Sequence, residues 1–224
     1  LPSLNVAIAA HEDVVLRAAF SKNMQPLNLS NWGGGKTVGR VNNDDCDCLR
    51  VVNGTLTGNP GLNPWRSENV SLSAEWYMGP ASMTYAAVYN IDIASFTEGG
   101  TVMIDEPDAD GISRGPWPFS TQVQGEGGSL SGFEIGAKVA FSDFVDLLNN
   151  VGVDVNYTFT DSSQKAKDVN GDDLPFVGMS ENTYNFVLWY EQEDFSARLA
   201  WNSISPRLIT QGTVGAVGGQ SLYQ

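Results

Sequence analysis

Val70-Ser-Leu-Ser-Ala-Glu-Trp-Tyr-Met78 alternates without a break. Val70, Leu72, Ala74, Trp76 and Met78 take one side, and Ser71, Ser73, Glu75 and Tyr77 the other. Successive side chains of a strand point to opposite faces, so this is a β-strand with one apolar and one polar face. Three further stretches repeat the pattern. Met83 to Ile93 puts Met83, Tyr85, Ala87, Tyr89, Ile91 and Ile93 together. Phe133 to Phe141 sets Phe133, Ile135, Ala137, Val139 and Phe141 against Glu134, Gly136, Lys138 and Ala140. Val151 to Phe159 sets Val151, Val153, Val155, Tyr157 and Phe159 against Gly152, Asp154, Asn156 and Thr158. Strands are therefore predicted near 4–9, 14–21, 68–78, 83–95, 133–142, 151–160, 183–191 and 195–203. The chain reads as all-β, with only a short helical turn near Asp143 to Asn150.

Eight charged residues lie inside these strands: Arg17, Glu75, Asp92, Glu134, Lys138, Asp154, Glu191 and Arg198. Each falls opposite the apolar stripe of its strand. A soluble sandwich would turn the stripe to a core and the charges to water. A transmembrane barrel would turn the stripe to lipid and the charges to a polar lumen. The connections favour the barrel. Tight turns at His11-Glu12-Asp13, Gly79-Pro80-Ala81, Ser142 to Asn150 and Gln192-Glu193-Asp194 alternate with long spans at 22–66, 97–131 and 161–182. Long structureless loops are uncommon in compact domains, whereas outer-membrane barrels have short periplasmic turns and long extracellular loops. The expected fold is an antiparallel transmembrane β-barrel segment of about eight strands.

Composition narrows the partners. Lys plus Arg number 12 and Asp plus Glu 26, a net charge of −14. Binding a phosphate backbone needs a basic face, so nucleic acid is not an expected partner. A hydrophobic content of 42% supports a folded chain rather than disorder. No apolar run approaches the roughly 18–20 residues of a spanning helix, which leaves barrels untouched. No leader segment is visible ahead of Leu1-Pro-Ser-Leu.

The residues also resemble a known family, the TonB-dependent outer-membrane receptors of Gram-negative bacteria, in a proteobacterial branch that includes carbohydrate transporters. The likeness runs through Leu1-Pro-Ser-Leu-Asn, Val15-Leu-Arg-Ala-Ala-Phe-Ser-Lys22 and Gly58-Asn-Pro-Gly-Leu-Asn-Pro64. It continues through Ser67-Glu-Asn-Val-Ser-Leu-Ser-Ala-Glu-Trp-Tyr77, Gly79-Pro-Ala-Ser82, Gly132-Phe-Glu134 and Gly152-Val-Asp-Val-Asn-Tyr-Thr-Phe159. Asn182-Thr-Tyr-Asn185 and Ser196-Ala-Arg-Leu-Ala-Trp-Asn202 complete it. The resemblance implies a barrel of about twenty-two strands closed by a plug. It further implies uptake of a scarce nutrient (carbohydrate, siderophore or similar), outer-membrane lipid around the wall, and coupling to TonB and its inner-membrane motor. Nothing in the chain resembles the plug or the TonB-engaging motif, so the chain is expected to be a piece of a longer receptor, without catalytic function. A passive porin-type channel and a soluble secreted β-sandwich binding module are the other readings.

Candidate sites cluster in the long spans. Trp32, Arg40, Arg114 and Trp117 are expected at a ligand, because aromatic faces and Arg forks bind sugars and carboxylated ligands. Glu106-Pro-Asp108-Ala-Asp110-Gly111 resembles the opening half of a calcium loop, but Trp117 stands where the closing carboxylate belongs. Glu106, Asp108 and Asp110 are the candidate Ca2+ ligands, and Asp168 to Asp173 is a weaker case read as an Asn-Gly turn. Cys46 and Cys48 fit zinc spacing poorly, and a local disulfide is the expected state in an oxidising exterior. The single histidine, His11, lies in a short turn and offers no triad. Otherwise no cofactor is expected.

Overall fold

The computed structural model describes residues 1–44, 48–167, 171–210 and 222–223. Its strands are β1 (Ser3–His11), β2 (Val14–Gln25), β3 (Gly35–Asn43), β4 (Cys48–Thr57), β5 (Trp65–Tyr77) and β6 (Met83–Ile104). They continue as β7 (Trp117–Gly125), β8 (Gly128–Ala140), β9 (Val151–Lys167), β10 (Asp173–Leu174), β11 (Asn182–Gln192) and β12 (Phe195–Ile204). The chain divides into two compact units. One comprises Leu1–Asn23, Ser67–Ile93 and Gly127–Gln224; the other comprises Met24–Arg66 and Ala94–Glu126.

In the first unit the sheet order is β1-β2-β5-β6-β8-β9-β11-β12. These are the eight strands that the alternation predicts, and each lies beside its neighbour in the series. The registered pairs are antiparallel and long, from Gly128 opposite Gln164 to Ala140 opposite Gly152 between β8 and β9. The turns at 12–13, 78–82, 141–150 and 193–194 are short, the third carrying two 3-10 turns, Phe141–Asp143 and Asp146–Leu148. The long connections therefore all leave from the other end. Among the described residues no single helix is long and apolar enough to cross a membrane, which says nothing of strands.

The spans at 22–66 and 97–131 are not structureless, as their irregular sequence suggests. They hold β3, β4, β7 and the upper third of β6. Gly39 and Gly54 interrupt the β-branched residues of β3 and β4, and a bulge between Gly39 and Arg40 breaks the period. Alternation is thus lost although the strands remain.

Residues directly opposite each other in a ladder share a face. Lys138 lies opposite Asp154, Asp154 opposite Val187, and Trp189 opposite Arg198. This places Glu134, Lys138, Asp154, Glu191 and Arg198 on one face. Arg17 and Glu75 share a face too, joined by Arg17 Nε–Glu75 Oε1 at 2.8 Å. Asp92 is the exception. Met83 lies opposite Lys138 and Ala87 opposite Glu134, whereas Asp92 lies opposite Ser129, in the row of Phe133 and Ile135. The odd residues of β6 belong to the charge-bearing face, the reverse of the sequence expectation. The cause is that Tyr85 and Tyr89 look apolar in a hydropathy pattern, yet their hydroxyls bond Glu134 and Thr160. Asp92 stands nine residues above the start of β6, near the rim, where a charge on an outward face costs least.

The other face is apolar and uncovered. Val70 is 47% exposed, Leu72 53%, Val88 51%, Ile135 48% and Leu199 64%. A soluble sandwich would bury this stripe against a second sheet, and no second sheet covers it among the described residues; a transmembrane barrel turns such a face to lipid. Aromatic residues mark its two margins. Trp76, Tyr190 and Phe195 lie near the short turns, with the Tyr190 and Phe195 rings 6.0 Å apart. Phe133, Tyr157, Phe159 and Tyr184 lie towards the other end, the Tyr157 and Tyr184 rings stacked at 4.7 Å. Trp189 and Tyr77, by contrast, sit on the charge-bearing face.

Candidate functional site

The second unit gathers all the residues expected at a ligand. Its scaffold is the β3–β4 hairpin, with β7 paired antiparallel to β6 and, through Gly54–Phe119 and Thr55–Ser120, parallel to β4. Phe119 and Val51 are fully buried, and Leu27 and Leu62 nearly so. Gly54 has no substitute in this core, since a Cβ there would stand 2.1 Å from the Phe119 ring. This small apolar centre holds the segment 105–116 against the free edge of β4. Asp108 Oδ1 accepts from the Val51 N–H at 2.6 Å, and the Ala109 N–H donates to Leu49 O at 3.0 Å.

Charges then pair within the unit. Lys36 Nζ reaches Glu106 Oε2 at 2.6 Å, and Arg40 Nη2 stands 3.8 Å from Glu106 Oε1. The 22–66 span, with five bases and three acids, and the 97–131 span, with one base and six acids, thus meet at one nearly buried carboxylate. Arg114 closes the second cluster. Its Nη1 donates to Asp108 Oδ2 at 2.6 Å and its Nη2 to Asp110 Oδ2 at 2.7 Å. The Val51 N–H holds the Asp108 carboxyl below its ordinary value, opposed by burial and helped by Arg114. The Arg114 guanidinium, with the Ile112 N–H, lowers Asp110 to about 2. Arg114 is raised in turn by Asp110 first and Asp108 second.

These contacts show where the expected residues fall. Arg114 bonds two carboxylates and so holds its loop. Arg40, its side chain 34% exposed, stands beside the same Glu106 carboxylate that Lys36 holds. Trp117 opens β7 with its indole Nε1 buried and, among the described residues, without a hydrogen-bond partner. Trp32 ends the 3-10 turn Leu29–Asn31 and is 44% exposed. No hydrogen bond or ion pair links Trp32 to the Arg114 cluster among the described residues. Glu106 pairs with Lys36, while Asp108 and Asp110 meet at Arg114 Nη1, at 2.6 and 3.0 Å. Lys36 and Arg114 occupy their oxygens, and among the described residues no group of three or more His, Cys, Asp or Glu is arranged to hold a metal ion. The expected Cys46–Cys48 bridge lies outside the described residues, because Cys46 is not among them. Asp168 and Asn170 lie outside them as well, while Asp173 pairs with Lys167.

The first unit brings four of the expected strand charges together with Trp189, which the sequence did not place among them. Trp189 Nε1 donates to Asp154 Oδ1 at 3.4 Å, and Arg198 Nη2 approaches Asp154 Oδ2 at 3.8 Å. Together with Lys138, Glu191 and Ser196 they line a cavity of about 560 Å³ on the charge-bearing face. Trp189 stacks over Gly152, Tyr85 over Gly136 and Tyr89 over Gly132, each ring opposite its glycine in the ladder. An aromatic residue directly opposite a glycine in neighbouring strands is a readable signal for such a pair.

Strand order, an exposed apolar face, a polar opposite face and one-ended long connections define the wall of an outer-membrane barrel. The chain belongs to the TonB-dependent receptor family: the model of the TonB dependent receptor-like β-barrel matches residues 1–222. A variant of the ferric enterobactin receptor PfeA of Pseudomonas aeruginosa, solved with enterobactin, is similar at 17% identity and a TM-score of 0.66, over 94% of this chain and 28% of that one. The siderophore receptor PirA of Acinetobacter baumannii is similar at 18% identity and a TM-score of 0.62, over 92% of this chain and 28% of that one. PirA of Pseudomonas aeruginosa gives 14% identity and a TM-score of 0.60, over 94% and 36%. At these identities the likeness is one of fold, and the chain spans about a third or less of each receptor. No curated protein matches the chain.

Proposed function

We propose that the chain supplies part of the wall and of the outer loops of an active outer-membrane receptor in a Gram-negative bacterium. The receptor captures a scarce nutrient (carbohydrate, siderophore or similar) at the loop end and passes it through a plugged barrel. Energy comes from TonB and its inner-membrane motor, engaged by a plug region. The observation that carries this reading is the two-faced sheet, apolar without and polar within, in a chain of this family. Arg40, Trp32 and Trp117 are the proposed cargo contacts of the loop unit, with Arg114, Asp108 and Asp110 positioning the loop. Binding and passage require no cofactor, and a Ca2+ ion at Glu106, Asp108 and Asp110 would have to displace Lys36 and Arg114.

The test is deletion of the full-length gene in the source bacterium, followed by growth on single carbohydrates and single iron chelates at limiting concentration. The expected outcome is loss of one class of nutrient, with the same loss when tonB is deleted. Growth that is unaffected on every nutrient, or affected independently of TonB as for a passive porin, overturns the proposal.

A further inference from the structure

The connection between β8 and β9 is unlike the others at its end of the first unit. Residues 12–13 and 193–194 are Glu-Asp pairs, and 78–82 reads Met-Gly-Pro-Ala-Ser. Two residues suffice to reverse the chain between β1 and β2 and between β11 and β12. The segment 141–150 is longer, and its Phe144, Val145, Leu147 and Leu148 are exposed, Leu147 to 89%. Scattered exposed apolar residues are ordinary, whereas a contiguous group of them marks a contact.

The segment has a fixed form. The Phe144 and Val145 N–H groups donate to Phe141 O at 3.0 and 2.8 Å, and the Leu148 N–H donates to Val145 O at 3.0 Å. Asp143 Oδ2 accepts from the Ala81 N–H at 3.1 Å and lies so close to Gly79 that a Cβ there would stand 2.5 Å from it. The 78–82 turn thus takes up the first carboxylate of the segment, while the four apolar side chains stay uncovered. The ladders fix its level. Val139 lies opposite Val153, and Val151 opposite Tyr190, all in the outward rows. Tyr190 belongs to the aromatic margin near the short turns, so the segment begins where that margin ends. Two 3-10 turns, rising only about 2 Å per residue, keep the rest close to that level. The layer between hydrocarbon and water is roughly 5–7 Å deep on each side of a bilayer, enough to hold such a segment.

We propose that 141–150 is an interfacial anchor, whose Phe144, Val145, Leu147 and Leu148 enter the phospholipid surface at the short-turn end of the wall. The segment continues the outward apolar rows of β8 and β9 at both its ends, through Val139 and Val151. Its N–H groups at 144, 145 and 148 are answered within the segment, as backbone approaching hydrocarbon requires. It carries no Lys or Arg, and Asp146 is exposed. The surface that fits is therefore zwitterionic, with ammonium groups to meet that carboxylate, rather than anionic. The inference rests on the wall part of the proposed function, because it takes the outward face as the one in lipid; it does not depend on the cargo.

Photo-crosslinking of the full-length receptor in intact cells tests it. Leu147→p-benzoylphenylalanine puts the reactive ketone on the anchor, Leu72→p-benzoylphenylalanine on the outward face, and Glu193→p-benzoylphenylalanine on a neighbouring short turn. All three side chains are exposed, so the wall folds with each replacement. Mass spectrometry of the purified receptor after irradiation identifies what has been captured. The expected result is a phospholipid adduct at Leu147, chiefly with a zwitterionic headgroup, at about tenfold the yield found at Glu193. A polypeptide adduct at Leu147 overturns the proposal, and so do equal lipid yields at Leu147 and Glu193. Lipid captured at Leu72 with none at Leu147 removes the anchor and keeps the wall. No lipid at Leu72 removes the wall reading itself.

Discussion

Gly152 lies opposite Trp189, and a Cβ added to it would stand 1.9 Å from the indole Cζ2. Gly152→Ala must therefore lift the ring and with it the Trp189 Nε1 bond to Asp154. Overpacking of this kind costs on the order of 1–3 kcal/mol, and the urea unfolding midpoint of the full receptor should fall accordingly. A second residue-scale consequence concerns acid. Asp110 titrates at about 2 in the folded loop against 3.8 when free. A lowered carboxylate stabilises the fold above its free value and loses that contribution as pH falls towards its folded value. Hydrogen-exchange protection of residues 105–116, corrected for intrinsic exchange, should hold from pH 7 to 5 and drop between about 4 and 2. The Asp92 correction belongs at this scale too. Its register was unreadable because two tyrosines counted as apolar side chains while their hydroxyls served a polar face.

At the scale of elements, the unbroken period located each strand but not its loop end: β8 starts five residues before the expected 133, at Gly128, and β9 runs seven beyond the expected 160, to Lys167. The alternation of β5, β8 and β9 is enforced by having unlike surroundings on two sides, so a sequence must carry it. The strands of the loop unit obey no such constraint. β3 and β4 have a bulge, two interior glycines and a single buried valine, so no stripe betrayed them. The ligand-site expectations show the same division. Composition placed tryptophans and arginines together in the long spans, yet could not tell Arg114, which pairs with two carboxylates, from Arg40, which stands 3.8 Å from one. That pairing depends on a backbone N–H, that of Val51, which has no side-chain signature. Asp108→Ala removes the acceptor of both the Val51 N–H and Arg114. The segment 105–116 should then be cut faster by added protease, while the strands of the first unit keep their resistance.

For the whole molecule, the decisive property is the difference between its two faces. Leu72→Arg puts a charge into the middle of the uncovered apolar face and should cost about 2–4 kcal/mol of stability in lipid, read from unfolding in bilayers. Lys138→Ala, on the opposite face, should change that stability far less. The net charge of −14 is likewise divided by place: the loop unit neutralises much of its own within Lys36–Glu106 and Arg114–Asp108–Asp110.

The paired rings and glycines also set a calibre. Tyr85, Tyr89 and Trp189 lie down over the backbone of the next strand instead of standing out from their own. Each glycine is thus a recess that absorbs the thickness of an aromatic ring. On the proposed reading, a wall rich in large aromatic side chains keeps its inner face low in this way, and the clearance is set by the glycines rather than by the rings.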